Sequence, residues 1–325
     1  MEIVKKKCLS SIFYFGKEKN HVKIRKERRR KMIYLDYSAT TPVEESVLNS
    51  YIETTKKIIG NPNSLHKLGV DAKKLIDAAT SQIASILGVK PQEVIYTSGA
   101  SEANNTVIKG ICLKYQNRGK HIITTPLEHS SIIEPLNYLK ELGFEVEYVN
   151  LTATGKVDLE DLEKKMRQDT ILVTIASINS ELGIVQPINE IAKIVKKYPK
   201  AYFHTDMTQS IGKEKIDLTN VDLASFSAQK FYGMKGIGAL IKKENIVIEP
   251  LIHGGKSTTK DRSGTPATPL IVSTAKALRL AYENLEEKQK KVKELNTYLR
   301  KQLEQENITV NSPKDAIPYI LNISI

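Results

Sequence analysis

Between Glu44 and Lys242 short β-rich runs alternate regularly with helical patterns, and this alternation constrains the fold more than any other feature of the chain. β-branched and aromatic residues cluster at 94–97, 121–125, 144–149, 171–177, 201–205, 222–227 and 238–242. Helical periodicity fills 44–57, 66–87 (ending at Gly88), 102–115, 130–142, 158–166 and 187–197. Strands separated by helices cannot pair as hairpins; they lie side by side with the helices covering the faces. The pattern predicts an α/β protein with a largely parallel, doubly wound sheet. One long charged helix is expected over 270–306, then a strand pair at 308–310 and 319–325, where the sequence stops inside an apolar β pattern at Ile325.

In an open α/β sheet, ligands bind beyond the carboxyl ends of the strands. Four segments place reactive groups there. Ser225-Phe226-Ser227-Ala228-Gln229-Lys230 ends a strand at hydroxyls and runs into a lysine in a loop punctuated by Gly233, Gly236 and Gly238. A lysine whose amine is partly desolvated forms a Schiff base with an aldehyde. The glycine spacing does not follow a first strand, so it is no dinucleotide fingerprint. His204-Thr205-Asp206-Met207-Thr208-Gln209 puts a carboxylate at a neighbouring strand end, where it can pair with a protonated pyridine nitrogen. Alone, Asp206 reads first as a turn or N-cap residue; its position 24 residues before Lys230, on the preceding strand end, favours the joint reading.

Thr97-Ser98-Gly99-Ala100-Ser101-Glu102 is a small-residue turn into a helix and suits an anion, with phosphate the natural guest; Ser101 also serves as a plain N-cap. Leu127-Glu128-His129-Ser130-Ser131 places a histidine just past a strand, where it can stack on a planar ring or stand as a polar surface residue.

Hydrophobic residues at 40% and charged residues at 26% describe a globular protein, and no apolar run reaches the roughly 20 residues that span a bilayer. The net charge of +12 is concentrated: twelve Lys/Arg against three Glu put +9 in residues 1–31 and leave +3 for the other 294. The expectation is a basic extension, disordered or loosely helical, or an upstream start before Met32. A nucleic-acid or membrane-surface role is confined to that tail, and an organellar presequence has little to recommend it. Cys8 and Cys112 cannot build a disulfide framework or a metal cluster, which fits a reducing cytoplasm, and Cys112 reads as buried filler on a helix.

Taken together with Tyr34-Leu35-Asp36-Tyr37-Ser38-Ala39-Thr40-Thr41-Pro42, Asn61-Pro62-Asn63-Ser64-Leu65-His66 and Arg262-Ser263-Gly264-Thr265-Pro266, these motifs resemble the cysteine desulfurases of the class V aminotransferase fold from Met32 to Ile325. The resemblance implies a pyridoxal-phosphate-dependent transferase of fold type I. Its large domain would cover 32–270, with an arm at 32–46 and a mostly parallel seven-stranded sheet flanked by helices. An incomplete small domain would cover 271–325. Lys230 would hold pyridoxal phosphate as a Schiff base and move the substrate α-proton, and His129 would stack on the ring and act with it in catalysis. Asp206 would pair with the ring nitrogen and Gln209 with the ring hydroxyl. Ala100, Ser101, Ser227 and Gln229 would surround the phosphate. Thr265 would reach the phosphate of a neighbouring subunit in a homodimer with shared active sites. The substrate would be L-cysteine, converted to L-alanine, with the sulfur passing to an enzyme cysteine and then to an acceptor protein, a scaffold for iron–sulfur clusters or a tRNA-thiolating enzyme.

The sequence also departs from the family. Gln229 replaces a histidine, and Ser180, in Asn179-Ser180-Glu181, replaces an asparagine expected near the ring oxygen and the substrate carboxylate. Lys256-Ser257-Thr258-Thr259-Lys260-Asp261 follows His253-Gly254-Gly255 where glycines and a glutamate are usual. The family's sulfur-carrying cysteine and carboxylate-binding arginine are expected beyond Ile325, so turnover by these 325 residues is expected to be impaired. The alternatives are another class V reaction, aminotransferase or lyase, and an inactive cofactor-binding remnant.

Overall fold

The computed structural model describes residues 33–255 and 259–325; the basic segment 1–31 and Met32 lie outside it. Residues Asp36–Ile325 form one compact unit. Its sheet has seven strands: β1 (Val94–Thr97), β2 (His121–Thr124), β3 (Glu145–Tyr148), β4 (Thr170–Thr174), β5 (Tyr202–Asp206), β6 (Leu223–Ser227) and β7 (Gly238–Lys242). Their order is β1-β7-β6-β5-β4-β2-β3. Neighbours from β6 to β3 are parallel, and β7 runs antiparallel to both β1 and β6. The predicted mostly parallel α/β architecture is the observed one.

The central strands are apolar on both faces because helices cover both. Ile122, Leu172, Leu223 and Leu240 pack with Val107, Ile111 and Cys112 of α3 (Ala100–Tyr115) and with Ile132, Leu136 and Leu139 of α4 (Ser130–Glu141). Their neighbours Ile123, Val173, Ala224 and Ile241 turn to the other layer. There they meet Ile76 and Ile83 of α2 (Lys67–Leu87), Ile191 and Ile194 of α6 (Ile188–Val195), and Ile271, Ala275 and Leu278 of α7 (Thr268–Tyr282). α1 (Glu45–Lys57) adds Val47 to this layer, and α5 (Leu159–Lys165) adds Leu162.

The chain enters the sheet at one edge with β1 and continues at β2, so α3 must cross between them. It packs over β7, β6, β5 and β4 on the way. That crossing brings the first turn of α3 to the sheet's C-terminal edge.

One predicted element divides in two. The helix expected over 270–306 breaks at Glu283–Asn284, giving α7 and α8 (Leu285–Gln305). Asn284 takes a left-handed backbone, φ 53°, which asparagine tolerates better than most residues. α7 is core-forming, whereas Leu285 is the one buried residue of α8. The expected strand pair is present as β8 (Thr309–Val310) and β9 (Ile323–Ser324), shorter than the apolar pattern suggests.

Candidate functional site

A cavity of about 520 Å3 opens at the carboxyl edge of β2, β4, β5 and β6. Nine of the ten residues singled out in the sequence line it; Thr265 does not. Thr265 lies in a separate groove with Tyr96, Gly236 and Arg262.

Lys230 ends a single 3₁₀ turn, Ala228–Lys230, that follows β6 directly. Its Nζ donates to the carbonyl oxygens of Ser38 (2.5 Å) and Ala39 (2.8 Å) on the N-terminal arm. Burial lowers its pKa from the usual lysine value, and the charges of Asp206, Asp36 and Glu181 pull the other way. The arm is held in turn by Thr41, whose backbone N–H and hydroxyl both donate to the Gln229 carbonyl, each at 2.9 Å. Gln229 itself faces the cavity.

Asp206 is the last residue of β5 and is 7% exposed. One carboxylate oxygen accepts the Thr208 backbone N–H at 3.0 Å, and the other accepts Asn104 Nδ2 at 2.8 Å. Asn104, wholly buried on α3, carries further weight that its sequence position does not advertise. Its Nδ2 also reaches Ser131 Oγ (2.9 Å), and its oxygen accepts the Ser225 hydroxyl. Behind them, His204 bonds Thr174 Oγ1 (2.8 Å) and Ser225 Oγ (3.1 Å), and burial pushes its pKa down to about 4, so it is neutral. The signal that could have found Asn104 is a polar residue inside the apolar stripe of a helix crossing the sheet.

The helix start differs from expectation. Gly99, not Ser101, is the N-cap of α3, and Glu102 takes the capping role by accepting the Ser98 N–H at 2.7 Å. Gly99 has φ 154°, and a Cβ there would stand 3.2 Å from Ser227 Oγ. The glycine thus lets the turn close over β6, so that the Ala100 N–H donates to Ser227 Oγ at 2.7 Å. Ser101 and Ser227 face the cavity beside this helix N-terminus, whose first N–H groups and dipole suit an anion.

His129 is the N-cap of α4, its Nδ1 accepting the Ser131 N–H at 3.1 Å and facing Ser131 Oγ at 2.8 Å. The preceding Glu128 was missed in the sequence. Its carboxyl group bonds Thr125 Oγ1 (2.7 Å) and the Ala176 N–H (2.9 Å), tying the β2–α4 loop to the end of β4; burial raises its pKa to about 8. Asn179 caps its own turn, accepting the N–H groups of Glu181 and Leu182, while Ser180 faces the cavity.

These groups fit pyridoxal phosphate. An amine and a carboxylate line one cavity, with hydroxyls and a helix N-terminus at its end. Thr208 Oγ1, on a residue lining the same cavity, is buried without a hydrogen-bond partner. Gln209 Nε2 and Lys230 Nζ converge on a single acceptor, the Ser38 carbonyl. Cys112 is a poor sulfur carrier: it is wholly buried, and burial raises its thiol pKa far above the ordinary value. No group of three His, Cys, Asp or Glu among the described residues could hold a metal ion.

Residues 33–325 match the family described as aminotransferase class-V. The chain is 39% identical over 300 residues to the cysteine desulfurase IscS of Dictyoglomus turgidum, covering 91% of this chain and 76% of that protein. It is 40% identical over 299 residues to the mitochondrial cysteine desulfurase of Saccharomyces cerevisiae, covering 90% of this chain and 60% of that one. Among solved structures, a NifS-like protein superposes with a TM-score of 0.88 at 39% identity, over 90% of this chain and 81% of that one. A structure described as SspA in complex with cysteine gives 0.73 at 39% identity, over 76% of this chain and 72% of that chain.

Proposed function

This chain belongs to the aminotransferase class-V family and, within it, to the cysteine desulfurases, and from that premise we propose that the cavity at Lys230 binds pyridoxal phosphate and receives L-cysteine. The observation that carries the reading is the lining of one cavity by Lys230 and Asp206, whose amine and carboxylate would hold different parts of one small ring. Bound pyridoxal phosphate supplies an aldehyde for an amine and an electron-withdrawing ring that accepts charge from the substrate α-carbon.

Each residue then has a task. Asp206, held by Asn104 and the Thr208 N–H, would lie beside the ring nitrogen. Gln209 donates through Nε2 toward the ring oxygen. Ala100, Ser101, Ser227 and Gln229 receive the phosphate. His129 would stack on the ring and assist proton transfer, and Ser180 would border the substrate carboxylate. Lys230, its amine made less basic by burial, takes the α-proton and returns a proton as alanine forms. The carbon–sulfur bond of L-cysteine would break as an acceptor thiolate bonds to the sulfur; the bonding pair would stay on the β-carbon, which gains a proton to become the methyl group of alanine, and the buried Cys112 does not serve as that acceptor. Thr265 contributes to the phosphate site of a second copy in a homodimer. A sulfur-acceptor protein and a cytoplasmic setting complete the proposal. Among the described residues no helix is long and apolar enough to cross a membrane.

Product analysis tests the reading. Holoprotein given L-cysteine and an excess of a small dithiol, which takes the place of the acceptor thiol, is expected to yield alanine and sulfide slowly, and Lys230→Ala to yield neither. Keto acid in place of alanine would contradict it.

A further inference from the structure

Lys213 is 8% exposed and does not line the 520 Å3 cavity, yet its ammonium is 2.8 Å from Gln209 Oε1. An ammonium has donors only, so the amide oxygen of Gln209 must face it. The amide nitrogen must then face the other way, where it donates to the Ser38 carbonyl at 3.0 Å, the same oxygen that accepts Lys230 Nζ. The chain of contacts Lys213–Gln209–Ser38–Lys230 leaves no alternative orientation of the amide. Lys213 is fixed from outside as well: its carbonyl accepts Gln289 Nε2 of α8 at 2.7 Å. A buried cation is costly to keep, and burial together with repulsion from Lys230 lowers the Lys213 pKa to about 8.

We propose that Lys213 is a positioning residue of the desulfurase: it locks the Gln209 amide so that Nε2–H, not the carbonyl oxygen, is offered to the ring oxygen of the cofactor. Its catalytic meaning rests on the function proposed above. A locked donor stabilises the deprotonated ring oxygen, and the nearby positive charge opposes a second cation at Lys230. Both effects favour loss of the proton shared there.

The test is a pH titration of the visible absorbance of the pyridoxal-phosphate-loaded protein without substrate. Lys213→Met is expected to move the transition midpoint upward by about one pH unit. Lys213→Arg, which keeps the donor and the charge, should hold the original midpoint. Gln209→Leu should move it in the same direction as Lys213→Met, and the double variant should move it no further than the larger single shift. A lowered melting temperature with an unmoved midpoint in Lys213→Met would overturn the inference and leave Lys213 a merely structural cation; additive shifts in the double variant would also overturn it. Absence of any pyridoxal-phosphate absorbance in the unaltered protein would instead count against the proposed function.

Discussion

At the scale of single residues, the site depends on polar groups whose partners come from distant parts of the chain. Asn104 joins Asp206, Ser225 and Ser131, which lie 102, 121 and 27 residues away. Its replacement by alanine removes the acceptor of the Ser225 hydroxyl proton and the side-chain donor to one oxygen of the Asp206 carboxylate. Asn104→Ala is therefore expected to cost about 1–3 kcal/mol in denaturant unfolding and to weaken pyridoxal-phosphate binding roughly tenfold by fluorescence titration, a change of about 1.4 kcal/mol. Lys230, Asp206, Ser227 and His129 were legible in the sequence because each follows a β-rich run, and strand ends are where an α/β sheet binds ligands. Asn104, Glu128 and Lys213 were not, because their meaning comes from tertiary neighbours that no spacing records. Ser101 was read as a cap by its type, but the turn needed the one residue that tolerates φ 154° next to Ser227, and that is Gly99.

At the scale of elements, the seven strands and the first six helices were readable to within about one turn at their ends. Their apolar residues repeat at the period each element imposes. The break between α7 and α8 was not readable: Asn284 sits in sequence among good helix formers, and its left-handed backbone follows from where α7 must end against the core. That conformation costs a residue without special tolerance about 1–2 kcal/mol. Asn284→Val is expected to lower the melting temperature by several degrees, whereas Asn284→Gly leaves it within about a degree; thermal melts by circular dichroism check both. Equal losses in the two variants would mean that the Asn284 side chain, not its backbone, holds the junction.

At the scale of the folded unit Asp36–Ile325, several buried groups titrate against one another. His204 has its pKa depressed to about 4 from 6.5, so between those values the unfolded chain binds more protons and stability rises with pH. Glu128 has the opposite sign. Its pKa is raised to about 8 from 4.5, so the folded unit binds more protons in that window and stability falls as pH rises through it. Glu214, raised to about 7, adds to the fall. The two trends oppose each other below pH 6.5; from there to about pH 8 the carboxyl groups dominate, and above it Lys213, depressed to about 8, works the other way. Glu128→Gln removes the larger carboxyl contribution. Its stability relative to the unaltered protein is expected to improve steadily between pH 5 and 8, by up to about 1.4 kcal/mol for each pH unit, in urea unfolding at several pH values. A pH-independent difference would show that the Glu128 carboxyl is ionised throughout.

On the proposed function, Lys230 and no other lysine presents its amine to the aldehyde of a cofactor whose ring lies against Asp206. Reducing the pyridoxal-phosphate-loaded protein with borohydride and mapping its peptides by mass spectrometry tests this directly. A single pyridoxyl group on Lys230, lost in Lys230→Ala, is expected; modification centred on Lys213 or scattered over surface lysines would rule out Lys230 as the cofactor-bearing residue.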